Sequence, residues 1–109
     1  MKYSLKTFSI GFECPIIDLK NDNWSEELNR ELIKPDFNFF DILKNELELL
    51  KMTNGNYLLL YNLVVIIDRD LIIRQQVDKE WDELEKSIST SITNYLIKQN
   101  VNFREINLI

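Results

Sequence analysis

The sequence predicts an α+β fold, a small sheet of about four strands with helices packed on it, in the order β-α-α-β-β-α-β. Three observations predict it. Residues 57–67 are aliphatic on both alternating faces, as in a central strand. Two long segments, 23–33 and 78–99, repeat apolar residues every three or four positions. Turn-forming Pro, Gly and Asn residues fall between these runs, at Cys14-Pro15, Asn21-Asp22-Asn23, Pro35 and Asn54-Gly55.

The first strand spans residues 2–12, with Tyr3, Leu5, Phe8, Ile10 and Phe12 as its apolar members. Their phase shifts between Leu5 and Phe8, the pattern of a strand with a bulge or twist. Cys14-Pro15 closes it, because proline gives a sheet no amide donor. Asn23 and Glu26 then have capping-box spacing for a first helix. Trp24, Leu28 and Leu32 recur every four residues along it, and Pro35 stops it near Ile33.

A second helix is expected from Asp36 or Asn38 to about Met52. Phe39, Ile42, Leu43, Leu47 and Leu50 would form its inner face, and Asn54-Gly55 its left-handed cap. Tyr57–Ile67 follows as a long central strand. Such a run needs cover on both sides or an oligomer partner. Residues 71–76 read as a strand returning through Asp68-Arg69-Asp70, in preference to an early opening of the next helix. That helix, 78–99, sets Trp81, Leu84, Ile88, Ile92, Tyr95 and Leu96 on one stripe, and Val101–Ile109 ends the chain as a strand. The expected core joins the stripe to Leu43, Leu47, Leu59, Val65 and Ile67.

With the first two helices acting as one crossover, the order matches the split βαβ, or ferredoxin-like, arrangement. If 71–76 is helical, it becomes β-α-α-β-α-β around a mainly parallel sheet. In that form the layout resembles barstar-type nuclease inhibitors over about half of the chain: a helix ending at Leu and Pro, the acidic-aromatic step Pro35-Asp36-Phe37, a helix opening Asp41-Ile42-Leu43 and a C-terminal helix-strand. The glycine and extra residues that the family carries before its second helix are missing, so the resemblance implies a layout and no inhibitory site.

With 109 residues and a mass of 13.1 kDa, the chain is expected to form one domain, 1–109. It has no histidine, one cysteine and two glycines. Histidine is the side chain best matched to proton transfer near pH 7, and phosphate-binding turns depend on glycine. The inventory therefore favours binding over enzymatic chemistry, with no cofactor and no metal site. Thirteen basic residues against eighteen acidic ones leave a net charge of −5. That balance disfavours nucleic acid and suits a basic protein partner. The lone Cys14 allows no intrachain disulfide, the N-terminal residues lack a signal-peptide core, and the apolar run is too short to span a bilayer as a helix. A cytoplasmic location is expected.

Two carboxylates, Glu46 and Glu85, fall within the apolar stripes of the second and last helices. They are either an acid–base pair or stripe-edge groups that snorkel to solvent or pair with Arg74 or Arg104, and the second reading is the simpler. The segment Asp78–Lys86 holds five acids and two lysines. Its Glu80, Asp82 and Glu83, with Glu26 and Glu27 of the first helix, form the candidate partner-binding face. The hydroxyl-rich run Ser87–Thr93 is a further candidate surface. The leading functional expectation is a small acidic inhibitor or antagonist, such as an immunity protein or a phage or mobile-element factor, acting on a basic nuclease- or toxin-like partner. The alternative is an assembly subunit that forms a homodimer or larger oligomer through its sheet.

Overall fold

A computed structural model describes residues 3–15, 22–32, 40–68 and 77–106. Within them the order is β1 (Tyr3–Cys14), α1 (Trp24–Glu31), β2 (Phe40–Lys51), β3 (Tyr57–Asp68), α2 (Val77–Lys98) and β4 (Arg104–Ile106). The four strands form one sheet ordered β2-β3-β1-β4, and every neighbouring pair is antiparallel. The α+β class holds. The mainly parallel alternative does not, since no described pair is parallel. The expected strand at 71–76 lies outside the described residues.

The largest correction concerns residues 40–51, expected as a helix and found as β2. Glu46-Leu47-Glu48-Leu49 alternates strictly, which suits a strand with one buried face. A bulge between Ile42 and Lys44 inserts Leu43 and breaks that alternation, so the aliphatic residues fall by coincidence at helical intervals. Pairing with β3 along nearly its whole length overrides the helix preference of Leu, Glu and Lys. The helix opening at Asp41 implied by the barstar-type resemblance is therefore strand. Leu43, assigned to the core from sequence, is 58% exposed at the bulge. Asn54-Gly55 closes a β-hairpin and does not cap a helix. Gly55 has φ +88°, its amide donates to the Met52 carbonyl, and the Met52 amide donates to the Asn56 carbonyl.

β1 carries no bulge. It pairs with β3 in unbroken register from Tyr3–Asp68 to Cys14–Tyr57. The phase shift in the sequence instead leaves Leu5 on the outer side, 64% exposed. β1 ends at Cys14, beside Pro15, as expected.

Both described helices pack on one side of the sheet. There Leu59, Tyr61, Leu63, Val65 and Ile67 of β3 and Ile10, Phe12 and Cys14 of β1 meet the stripe Trp81, Leu84, Ile88, Ile92, Tyr95 and Leu96 of α2. All six stripe residues are buried, as their spacing predicted. Leu47 packs partly buried against the same cluster. Each fully buried aliphatic side chain contributes roughly 1.5–3 kcal/mol to folding. Phe8 meets Trp81 edge to face at 5.4 Å, and the Lys6 ammonium lies 4.6 Å from the Trp81 ring centre.

Helix α1 buries Leu28 and Leu32 and half-buries Trp24. Asn23 stands at its N-cap, but its side chain makes no capping bond, so the expected capping box is not formed. α2 stops by a Schellman motif. Asn100 is left-handed at φ 59°, the Val101 amide donates to the Leu96 carbonyl and the Asn100 amide to the Ile97 carbonyl. That turn feeds the chain into β4, which pairs with Gly11–Glu13 of β1.

Candidate functional site

β3 presents its other side chains, Leu58, Leu60, Asn62, Val64 and Ile66, on the sheet face away from the helices, all half-buried. The register sets Leu50 of β2 beside Leu58 at one corner and Leu5 of β1 beside Ile66 at the opposite corner. Leu50 is 45% exposed. The result is an oblique aliphatic stripe from Leu50 to Leu5, interrupted once, at Asn62. There the Ser9 hydroxyl donates to the Asn62 Oδ1. The flanks differ. On β2 stand Asp41, Lys44, Glu46 and Glu48, and on β1 the small residues Thr7, Ser9 and Gly11.

One end of this face is tied by Glu13. Its carboxylate accepts from Asn54 Nδ2 at 3.1 Å, Asn56 Nδ2 at 3.2 Å and Arg104 Nη2 at 2.6 Å. The hairpin turn, β1 and β4 thus meet on one side chain. The two asparagine amides and the Arg104 guanidinium hold the Glu13 carboxyl below its usual range.

The acids selected from sequence do not converge. Glu26 is exposed and Glu27 half-buried in the first turn of α1. α1 lies against the C-terminal half of α2: Glu31 pairs with Lys98 at 3.3 Å, and the charges of Glu27 and Glu31 act on Tyr95. Asp82 and Glu83 are exposed, and Glu80 half-buried, near the start of α2. Thirteen residues of helix separate Asp82 from Tyr95, roughly 20 Å along the axis. The five acids form two patches, one at each end of α2. The Glu80 Oε2 is buried without a hydrogen-bond partner, as is the Tyr95 hydroxyl. Burial, reinforced by Glu27 and Glu31, raises the Tyr95 phenol.

Glu46 and Glu85 cannot act as a pair. Glu46 stands on the outer sheet face beside Lys44, at 3.0 Å, whereas Glu85 belongs to α2 on the other side of the sheet. Arg104 bonds Glu13 instead of either. Much of the Ser87–Thr93 run is satisfied locally. Ser91 donates to the Ser87 carbonyl, Thr93 to the Thr90 carbonyl and Ser89 to Glu105. Cys14 is fully buried, and burial followed by the Glu13 charge pushes its thiol up, away from nucleophilic reactivity.

Among the described residues no group of three or more His, Cys, Asp or Glu is placed to hold a metal. No described helix is long and apolar enough to cross a membrane. A shallow depression of about 350 Å³ lies beside the Schellman turn, lined by Ile97, Asn100, Val101, Asn102 and Phe103. It offers shape without a titratable side chain. Comparison with known proteins finds no matching family model, no similar curated protein and no similar solved structure.

The outer sheet face was legible in the sequence as a run apolar on both sides. Its flanks were not, because they depend on β2 being a strand.

Proposed function

We propose that this chain is a non-enzymatic binding protein that works as an assembly subunit, the sheet face opposite its described helices filled by a second copy of itself. The observation that carries the reading is the aliphatic stripe Leu50–Leu58–Leu60–Val64–Ile66–Leu5 on the side of the sheet opposite both helices. Apolar area of that continuity is costly to leave in water and marks contact surfaces. In topology we read the molecule as a split βαβ, ferredoxin-like arrangement, supported by the strand order β2-β3-β1-β4 with a helix after β1 and another after β3.

Sedimentation in 0.1 M and 1 M salt tests the assembly. The expected result is a dimer at both, because apolar contacts are not screened by salt as charge pairs are. A monomer at about 100 μM, some 100-fold above a Kd of 1 μM, overturns it.

A second reading keeps the chain as an acidic inhibitor of a basic nuclease- or toxin-like protein, in the manner of an immunity protein or a phage or mobile-element factor. It is favoured by the start of α2, where Asp82 and Glu83 are exposed. Salt separates the two. Capture by this patch weakens as salt rises.

A further inference from the structure

We infer that the two copies stack sheet to sheet about a two-fold axis running along β3 through Asn62, a geometry that rests on the assembly reading above. Three symmetric pairings set the β2 edge or the outer face against its own copy. Edge-to-edge pairing of β2 is opposed by its bulge at Leu43 and by Asp41, Lys44, Glu46 and Glu48, the devices by which sheets blunt an edge. Stacking about an axis across the strands sets Glu46 on the partner's Glu46, like charge on like. Stacking about an axis along β3 avoids both.

In that third arrangement β3 lies over the partner's β3, and each β2 lies over the partner's β1. The register then sets the partner's Lys44 over Thr7, the partner's Glu46 over Ser9 and the partner's Glu48 over Gly11. Long side chains meet small ones, which lets the sheets approach to the about 10 Å of face-to-face packing. The partner's Glu48 comes within side-chain reach of Arg104, whose side chain is 76% exposed beside its bond to Glu13. The same register sets the partner's Asp41 over Leu5, short of the bulge at Leu43. Aligned sheets cross at about 30°, so the axis lies within about 15° of β3.

Asn62 sits on the axis. Its Oδ1 takes the Ser9 hydroxyl, leaving its amide donors for the partner's Asn62. One polar pair within an aliphatic seam fixes register, as a single buried asparagine does between helices.

Cross-linking of cysteine variants, in the full chain with Cys14→Ala and a short bismaleimide, reads this geometry. Asn62→Cys is expected to cross-link with itself. A mixture of Ser9→Cys and Glu46→Cys chains is expected to give the heterodimer, and Glu46→Cys alone to give less than a tenth of that yield. Self-cross-linking of Glu46→Cys without the mixed product overturns the axis and leaves the sheet-face dimer standing. A protein that sediments as a dimer but cross-links at none of these sites overturns the sheet face as the interface. A monomeric wild type overturns the assembly reading and this geometry with it. If Asn62→Cys does not fold, the mixed pair, at an exposed and a half-exposed site, still decides between the axes.

Discussion

The two faces of β3 are built from nearly the same residue types and meet different surroundings. On one, Leu59, Tyr61, Leu63, Val65 and Ile67 are at most 3% exposed beneath α1 and α2. On the other, Leu58, Leu60, Val64 and Ile66 are half-buried, with neither described helix over them. Alternation decides this, because successive strand residues point to opposite faces and the helices cover only one. A strand apolar on both alternating faces, with the described helices over one of them, leaves the other as the surface on which the assembly proposal rests. The helix-facing side is covered within the chain. The outer side carries one polar residue in five, with charged residues on its β2 flank and small ones on its β1 flank.

Substitutions on the two sides should differ in kind. Ile88→Ala or Leu84→Ala removes a fully enclosed side chain and is expected to lower unfolding free energy by about 2–5 kcal/mol. Leu43→Ala, at the exposed bulge, is expected to cost under about 0.5 kcal/mol in the monomer. Chemical denaturation of the three variants measures the contrast. Equal losses at Leu43 and Ile88 would mean that the bulge is packed.

Leu60→Asp tests the outer face. A carboxylate at the centre of the stripe is expected to weaken self-association at least 100-fold, about 2.7 kcal/mol. Far-UV circular dichroism should remain that of the folded chain. Leu63→Asp, one face over, is expected to unfold it, because a charge buried without a partner is not tolerated. Loss of fold in Leu60→Asp would show that the outer face is interior.

The contrast also explains what the sequence made legible. α1 and the α2 stripe were readable because each keeps a single period along its length, β3 because its apolar run is broken only at Asn62, and β1 despite the phase shift that leaves Leu5 on its outer side. β2 was not, since the bulge at Leu43 interrupts its alternation and Leu, Glu and Lys suit a helix. The turn misled in the same way. Asn54-Gly55 supplies the left-handed backbone that both a helix end and a hairpin require, and only the pairing of Lys51 with Tyr57 tells them apart. The acidic face was inferred from residues adjacent in composition. Their separation along α2 is a tertiary fact, set by where α1 docks.

Glu13 ties the outer face to the hairpin, and its pH dependence sharpens the comparison with the uncharged interior. Its folded-state carboxyl is lowered below 4.5 by Asn54, Arg104 and Asn56. A carboxyl with a depressed folded value stabilises the fold above its unfolded value and loses that contribution as pH falls through the folded one. Denaturation midpoints between pH 7 and pH 3 should therefore fall more steeply for the wild type than for Glu13→Gln. Parallel profiles would remove Glu13 as a latch. Tyr95 gives the opposite case in the interior. Its hydroxyl is buried without a partner, so Tyr95→Phe is expected to be neutral or to stabilise by up to about 1 kcal/mol. The raised Tyr95 phenol also makes the wild type lose stability as pH rises past about 10, and the phenylalanine variant should lack that loss.

The smallest effect on stability is expected at the start of α2. Asp82 and Glu83 are exposed, and reversing both to lysine should change unfolding free energy by no more than about 0.5 kcal/mol. The sheet-face dimer should be unaffected, because α2 packs on the opposite side of the sheet. A basic partner docked on the acids would instead lose affinity by at least tenfold, since like charges would then face each other. Sedimentation and partner capture on the one double variant thus separate the two surfaces. An intact dimer with lost capture assigns a second contact to α2, whereas unchanged capture leaves these acids as solvated helix surface.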